Sequence, residues 1–165
     1  MKLTRWRALT GAVGLGLGLF GLAGCESHGT FASKCQAVPA GTSNPTGVTD
    51  ASIDTPLSVH PGDTFALRVN DVGSQDGQVS DPPTADAASM HIENGTNPAG
   101  DNDVSIGSLS NPAVFPFNTT IKVTGQVGQK VNISLVSAAQ ISGFSAIICA
   151  PNATATLVSI NIVAP

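Results

Sequence analysis

The chain has no tyrosine, and its single tryptophan, Trp6, lies among the first seven residues. Peptide-binding hot spots draw on Trp, Tyr and Arg, and sugar sites commonly stack rings on aromatics. Beyond residue 24 only Phe31, Phe65, Phe115, Phe117 and Phe144 remain, so aromatic-anchored recognition has little material. Positive charge is scarce too. Of seven Lys and Arg residues, those at 2, 5 and 7 leave Lys34, Arg68, Lys122 and Lys130 to face all eleven acids, a net charge of −7 beyond residue 24. That balance argues against nucleic acid and against electrostatic attachment to anionic lipid. No stretch beyond residue 24 keeps a 3.6-residue apolar period with caps, which argues against a helical body.

What is present starts with an uncharged run from Ala8 to Gly24, behind a basic Lys2, Arg5 and Arg7. A basic start, an apolar centre and a small-residue exit describe a secretory signal. The run is short for a span, which needs roughly 20 apolar residues. Its exit, Leu22-Ala23-Gly24-Cys25, resembles the lipobox of bacterial membrane lipoproteins: leucine, two small residues, then cysteine. The resemblance covers the signal and Cys25 only. It implies a diacylglycerol on the Cys25 sulfur, cleavage before that residue, acylation of the new amino group and a body anchored outside the cytoplasm at the cell or outer membrane. Two or three acyl chains hold durably, whereas one is marginal. The plainer alternative is an ordinary secretory signal followed by a chance cysteine.

With residues 1–24 removed, 141 residues remain, enough for one domain with its own core. Two cysteines are left, Cys35 and Cys149. An even pair in an oxidising compartment reads as a structural bridge. A redox or metal pair calls for a C-x-x-C spacing or neighbouring histidines, and neither is seen.

Residues 25–50, rich in Ser, Thr, Gly and Pro, read as a flexible tether. From 51 to 165 period-two alternation dominates. Phe65, Leu67 and Val69 share one face, as do Ala88, Met90 and Ile92; Ile121 and Val123; Val131, Ile133 and Leu135; and Val158, Ile160 and Ile162. The apolar run around Ile147 and Ile148 suits a central strand. Turn signals separate these segments: Pro61-Gly62, Asn94-Gly95, and Gln126 to Gln129 as a hairpin. About seven to nine short strands predict an all-β, immunoglobulin-like sandwich, with a jelly roll as the alternative.

Catalytic and metal patterns are thin. The nearest approach to a G-x-S-x-G elbow, Gly143 to Ile147, lacks its second glycine and any following helix. The histidines, His28, His60 and His91, are scattered. A copper site fails because neither His nor Met follows Cys149. Calcium is the remaining option. Asp71 and Asp76 in Asn70–Asp81, with Asp101 and Asp103 in Asn94–Asp103, supply hard oxygens, although Asp, Asn and Gly also simply form turns. The expectation is a non-enzymatic, lipid-anchored envelope protein that meets a protein partner through its loops. Its alternative is a small-ligand or calcium binder of the periplasm or cell surface.

Overall fold

The computed structural model describes residues 24–38, 46–75, 86–108, 110–142 and 145–165, and every regular element in them is a β-strand. The signal segment, Leu22, Ala23 and Asp76 lie outside the described residues. In chain order the strands are β1 (Cys25–Val38), β2 (Gly47–Thr55), β3 (Ser58–Val59), β4 (Thr64–Gln75), β5 (Ala87–Glu93), β6 (Gly95–Thr96), β7 (Asp103–Ile106), β8 (Phe117–Val123), β9 (Lys130–Ser142), β10 (Ser145–Pro151) and β11 (Ala155–Ile162). The described residues hold eleven strands, against an expected seven to nine, and β1, β4 and β9 are long.

The strands form a sandwich in two layers. One runs β10-β1-β2-β4-β8-β6, the other β7-β5-β9-β11-β3. The long β9 joins them: Lys130 to Leu135 pair with β11, and Ala138 to Ser142 pair with β10. All pairings are antiparallel except β3 with β11. Between the layers lies an aliphatic core that includes Ile53, Leu67, Val69, Met90, Ile92, Ile121, Ile133 and Ile160, all fully buried. Each stands on the inward face of a strand whose alternate residues are polar, the pattern period-two strands require.

Alternation fails where a strand gains a residue. Opposite Ser89 and Met90, β9 carries an extra residue at Val136, which is left exposed. The inward set then passes from odd to even positions and continues with Ala138. An extra residue in β11 does the same, so Leu157 turns inward and Val158, expected inside, is only partly buried. Such bulges bend a strand and sharpen its twist, and in β9 the bulge falls where the strand passes from one layer to the other.

The expected tether at 25–50 is replaced by β1 and the start of β2, which pair residue for residue from Cys25↔Thr55 to Ser33↔Gly47. Its inward positions are Ser27, Gly29, Phe31, Ser33 and Thr49, too polar to register as a hydrophobic face. Ser33 and Thr49 are nevertheless buried, and their hydroxyls hydrogen-bond at 2.8 Å. Cys25–Val38 and the start of β2, read as tether, are therefore part of the described sheet.

Two turns differ in meaning from the expectation. Gln126–Gln129 closes tightly, with the Gln129 N–H donating to the Gln126 carbonyl at 3.0 Å and Gly128 at φ 88°. Yet β8 pairs with β4 and β6, and β9 with β11, β5 and β10. The turn is thus an arch between layers rather than a hairpin. The Asp- and Gly-rich stretch from Asn70 is strand through Gln75. Pro61-Gly62 does turn as read, with Gly62 at φ 83° and the Asp63 N–H donating to the His60 carbonyl.

Cys35 and Cys149 form a disulfide and stand directly opposite each other on β1 and β10. The bridge links neighbouring strands of one layer, unlike the inter-layer bridge of antibody domains.

Candidate functional site

Cys25 is the free cysteine among the described residues, and it is exposed. Because it is the first residue of β1, its backbone is fixed by the ladder to β2 opposite Thr55. Beside it a hollow of about 260 Å³ is lined by Gly24, Asp54, Thr55, Pro56, Ala66 and Arg68. The Thr55 hydroxyl is buried without a hydrogen-bond partner. Arg68 reaches Asn70 Oδ1 at 2.9 Å and Asp54 at 4.0 Å. Pro56 is followed by Leu57, which is 68% exposed.

The outer face of this layer is acidic. Glu26, Asp54 and Arg68 share one cross-strand row, and His28, Ser52 and Asp71 the next. Glu26 accepts from the Ser52 hydroxyl at 2.8 Å. Partial burial raises the Asp50 pKa above the ordinary 3.8, and the nearby Asp71 carboxylate adds to the rise, with His28 acting against both. Asp63 moves the other way: the His60 backbone N–H donates to its carboxylate at 2.8 Å and favours the charged form.

Among the described residues the calcium candidates do not converge. Asp71 points outward from β4 in one layer, while Asp103 begins β7 at the edge of the other. Asp76 lies outside the described residues. Among the described residues no three His, Cys, Asp or Glu side chains converge as metal ligands. The segment from Asn94 to Asp103 has a different organiser. Asn97 Oδ1 accepts from the Ala99 and Asp101 N–H groups, and Asn97 Nδ2 donates to the Asp103 carbonyl. Asn102 ties the same segment to the Ile92 and Gly95 carbonyls. These are turn bonds of the Asx type.

Each histidine has an aspartate, a relation invisible before folding. His60 Nδ1 lies 3.0 Å from Asp63, His91 Nδ1 lies 2.8 Å from Asp103, and His28 lies 3.9 Å from Asp50. The signal in sequence was faint: only the His60–Asp63 pair is local. His91 also stands opposite Ser134 in the ladder. An Asp, a His and a Ser therefore share one row, but the Ser134 hydroxyl bonds Thr156 at 3.2 Å and the row lies on an exposed strand face. Ser145, the serine of the Gly143–Ile147 stretch, opens β10 opposite Ser142.

A second depression, of about 420 Å³, lies on the outer face of β4 and β8. It is bordered by Thr64, Thr96, Asn97, Thr120, Lys122 and Thr124. Hydroxyls, one amide and one ammonium suit a polar, uncharged or anionic molecule. Comparison with protein families, with curated proteins and with solved structures found no match.

Proposed function

We propose that the chain is a lipid-anchored envelope protein whose β-sandwich is a non-catalytic interaction or accessory module. The observation that carries the reading is the sorting of its three cysteines. Cys35 and Cys149 are buried in a bridge, while Cys25 is exposed, unbridged and placed where the lipobox-like Leu22-Ala23-Gly24 ends. A disulfide supports an oxidising compartment, and the sulfur of an exposed cysteine at the first strand residue is accessible to acylation. The non-catalytic part is supported by the acid–histidine pairs, which lie exposed, His60–Asp63 in a turn and His91–Asp103 on a strand face. The body stays outside the cytoplasm, and an envelope protein is its partner.

Mass spectrometry of the native protein tests this: the expected species starts at Cys25 and carries a diacylglyceryl thioether. The Cys25→Ser variant should leave the membrane fraction. An unmodified thiol, or wild type found free in the medium, refutes the anchor. A pull-down from envelope extract with anchored protein as bait should return a partner above background.

A second reading, small-ligand binding, is favoured by the threonine-lined depression with Lys122 at its rim. Thr120→Val and Lys122→Ala should abolish any heat of binding measured with candidate polar ligands, while leaving the anchor intact.

A further inference from the structure

Resting on the anchor reading, we infer that the body lies directly against the bilayer at its Cys25 end, with Leu57 entering the lipid interface. A tethered domain floats, because a flexible linker of tens of residues lets the body take any orientation. Among the described residues no linker separates Cys25 from the sheet. Cys25 itself is paired into the sheet, and pairing runs unbroken from Cys25↔Thr55 to Ser33↔Gly47. Acyl chains on the Cys25 sulfur and amino group therefore leave from a fixed point on a rigid strand.

The surroundings of that point suit lipid. Residue 24, Pro56, Ala66 and Arg68 border one hollow, so the chain's exit and the turn after β2 are neighbours. Leu57, the next residue, is 68% exposed, an aliphatic side chain left in water by the described residues. An apolar side chain beside an anchor can sink about 5–10 Å into the headgroup and acyl boundary. Arg68, one of only four cations beyond residue 24, borders the same hollow beside Asp54, 4.0 Å away. The net charge of −7 opposes anionic lipid, and at the anchor end Glu26 and Asp54 outnumber Arg68, so the contact is apolar and local.

The same geometry points the other end outward. β1 spans 14 residues, which at about 3.3 Å per residue carries Val38 up to about 45 Å from the anchor. Gly47, Gln75 and Ser142 gather at that distal end through their pairings with the end of β1, β2 and β10. Asp86 and Ala113 join them, the Asp86 N–H donating to the Ala139 carbonyl and the Ala113 N–H to the Asp86 carbonyl. The distal end is the surface left for a partner.

The scarcity of tryptophan makes the test clean. In a Trp6→Phe background, Leu57→Trp places the only indole beside the anchor, and Val114→Trp places it at the distal end, where Val114 is 83% exposed. Each lipidated protein is reconstituted in phosphatidylethanolamine–phosphatidylglycerol vesicles carrying brominated acyl chains. The expected result is a blue shift and loss of emission for Leu57→Trp, unchanged by added salt, with Val114→Trp unquenched. A Gly-Ser linker inserted between Cys25 and Glu26 should restore the Leu57→Trp emission. Protein that floats with the vesicles but shows Leu57→Trp unquenched, or both indoles quenched alike, overturns the orientation while leaving the anchor standing. Protein that fails to float overturns the anchor and the orientation together.

Discussion

Removing the Cys35–Cys149 bridge should cost the domain a large part of its stability. The two half-cystines are 114 residues apart in sequence. In the chain-entropy treatment, cross-linking a loop of that length lowers the entropy of the unfolded chain enough to contribute about 5 kcal/mol at 25 °C. Folded domains hold only about 5–15 kcal/mol in all, so the loss is decisive for a weak domain and severe for a strong one. Cys35→Ala with Cys149→Ala, in a Cys25→Ser background, removes the bridge without leaving a thiol. Both side chains are buried, so each alanine adds a small packing loss in the same direction. Urea unfolding followed by far-UV circular dichroism should show a lower midpoint. It should also show a steeper dependence on urea, because the unfolded chain no longer contains a closed loop and exposes more surface. The native sheet should survive where the variant folds, since the two positions are already paired by the β1–β10 ladder. A loss below about 1 kcal/mol with an unchanged slope would refute the premise that the bridge acts on the unfolded chain.

Gly107 has φ 65°, and a Cβ there would meet the Ala113 nitrogen at 2.5 Å and the Asp86 carbonyl oxygen at 2.6 Å. Gly107→Ala should therefore lose at least about 1–2 kcal/mol in thermal melts from the left-handed backbone alone, with the backbone clash adding to it; a melting temperature equal to wild type would contradict this. Asp50 has a raised folded pKa, so its protonated form is the one the fold prefers, and its contribution is present below 3.8 and lost as pH rises through the raised value. Asp50→Asn should accordingly gain stability over wild type at pH 7, and that gain should vanish below pH 3.8 in a melting series. Asp63 has the opposite sign: its charged form caps the His60 turn, so its support is present above 3.8 and fades as pH falls through its lowered value. Millimolar calcium should leave the melting temperature unchanged; stabilisation near 2.7 kcal/mol, the figure for ligand about a hundredfold above its dissociation constant, would show that a site exists after all.

Much of the sandwich could be read along the chain because its inward residues are aliphatic and alternate. Phe65, Leu67 and Val69, or Ala88, Met90 and Ile92, announce their face without help, and all of them are buried. The bridge could also be read, since only two cysteines remained once Cys25 was assigned. The β1–β2 ribbon could not. Its inward positions carry Ser27, Gly29, Ser33 and Thr49, and a buried hydroxyl pair such as Ser33–Thr49 looks like loop composition until its partner is across the sheet. The bulges at Val136 and Leu157 stayed hidden for a related reason: an extra residue is defined by the neighbouring strand, not by its own sequence. The aspartate partners of His28 and His91 belong to the same category, being set by strand pairing over 22 and 12 residues.

Composition and local pattern therefore settled the class of the body: strands, polar outside and aliphatic inside, with two cysteines free to bridge. Those properties follow from each residue's own preference for water and from a side-chain period of two. The tertiary structure alone decided which strands neighbour which, that β9 serves both layers, and that Cys25 is the first rung of a ladder rather than the start of a leash. Pairing is a relation between distant segments, and it exists only when the backbone amides of both are brought within hydrogen-bonding reach.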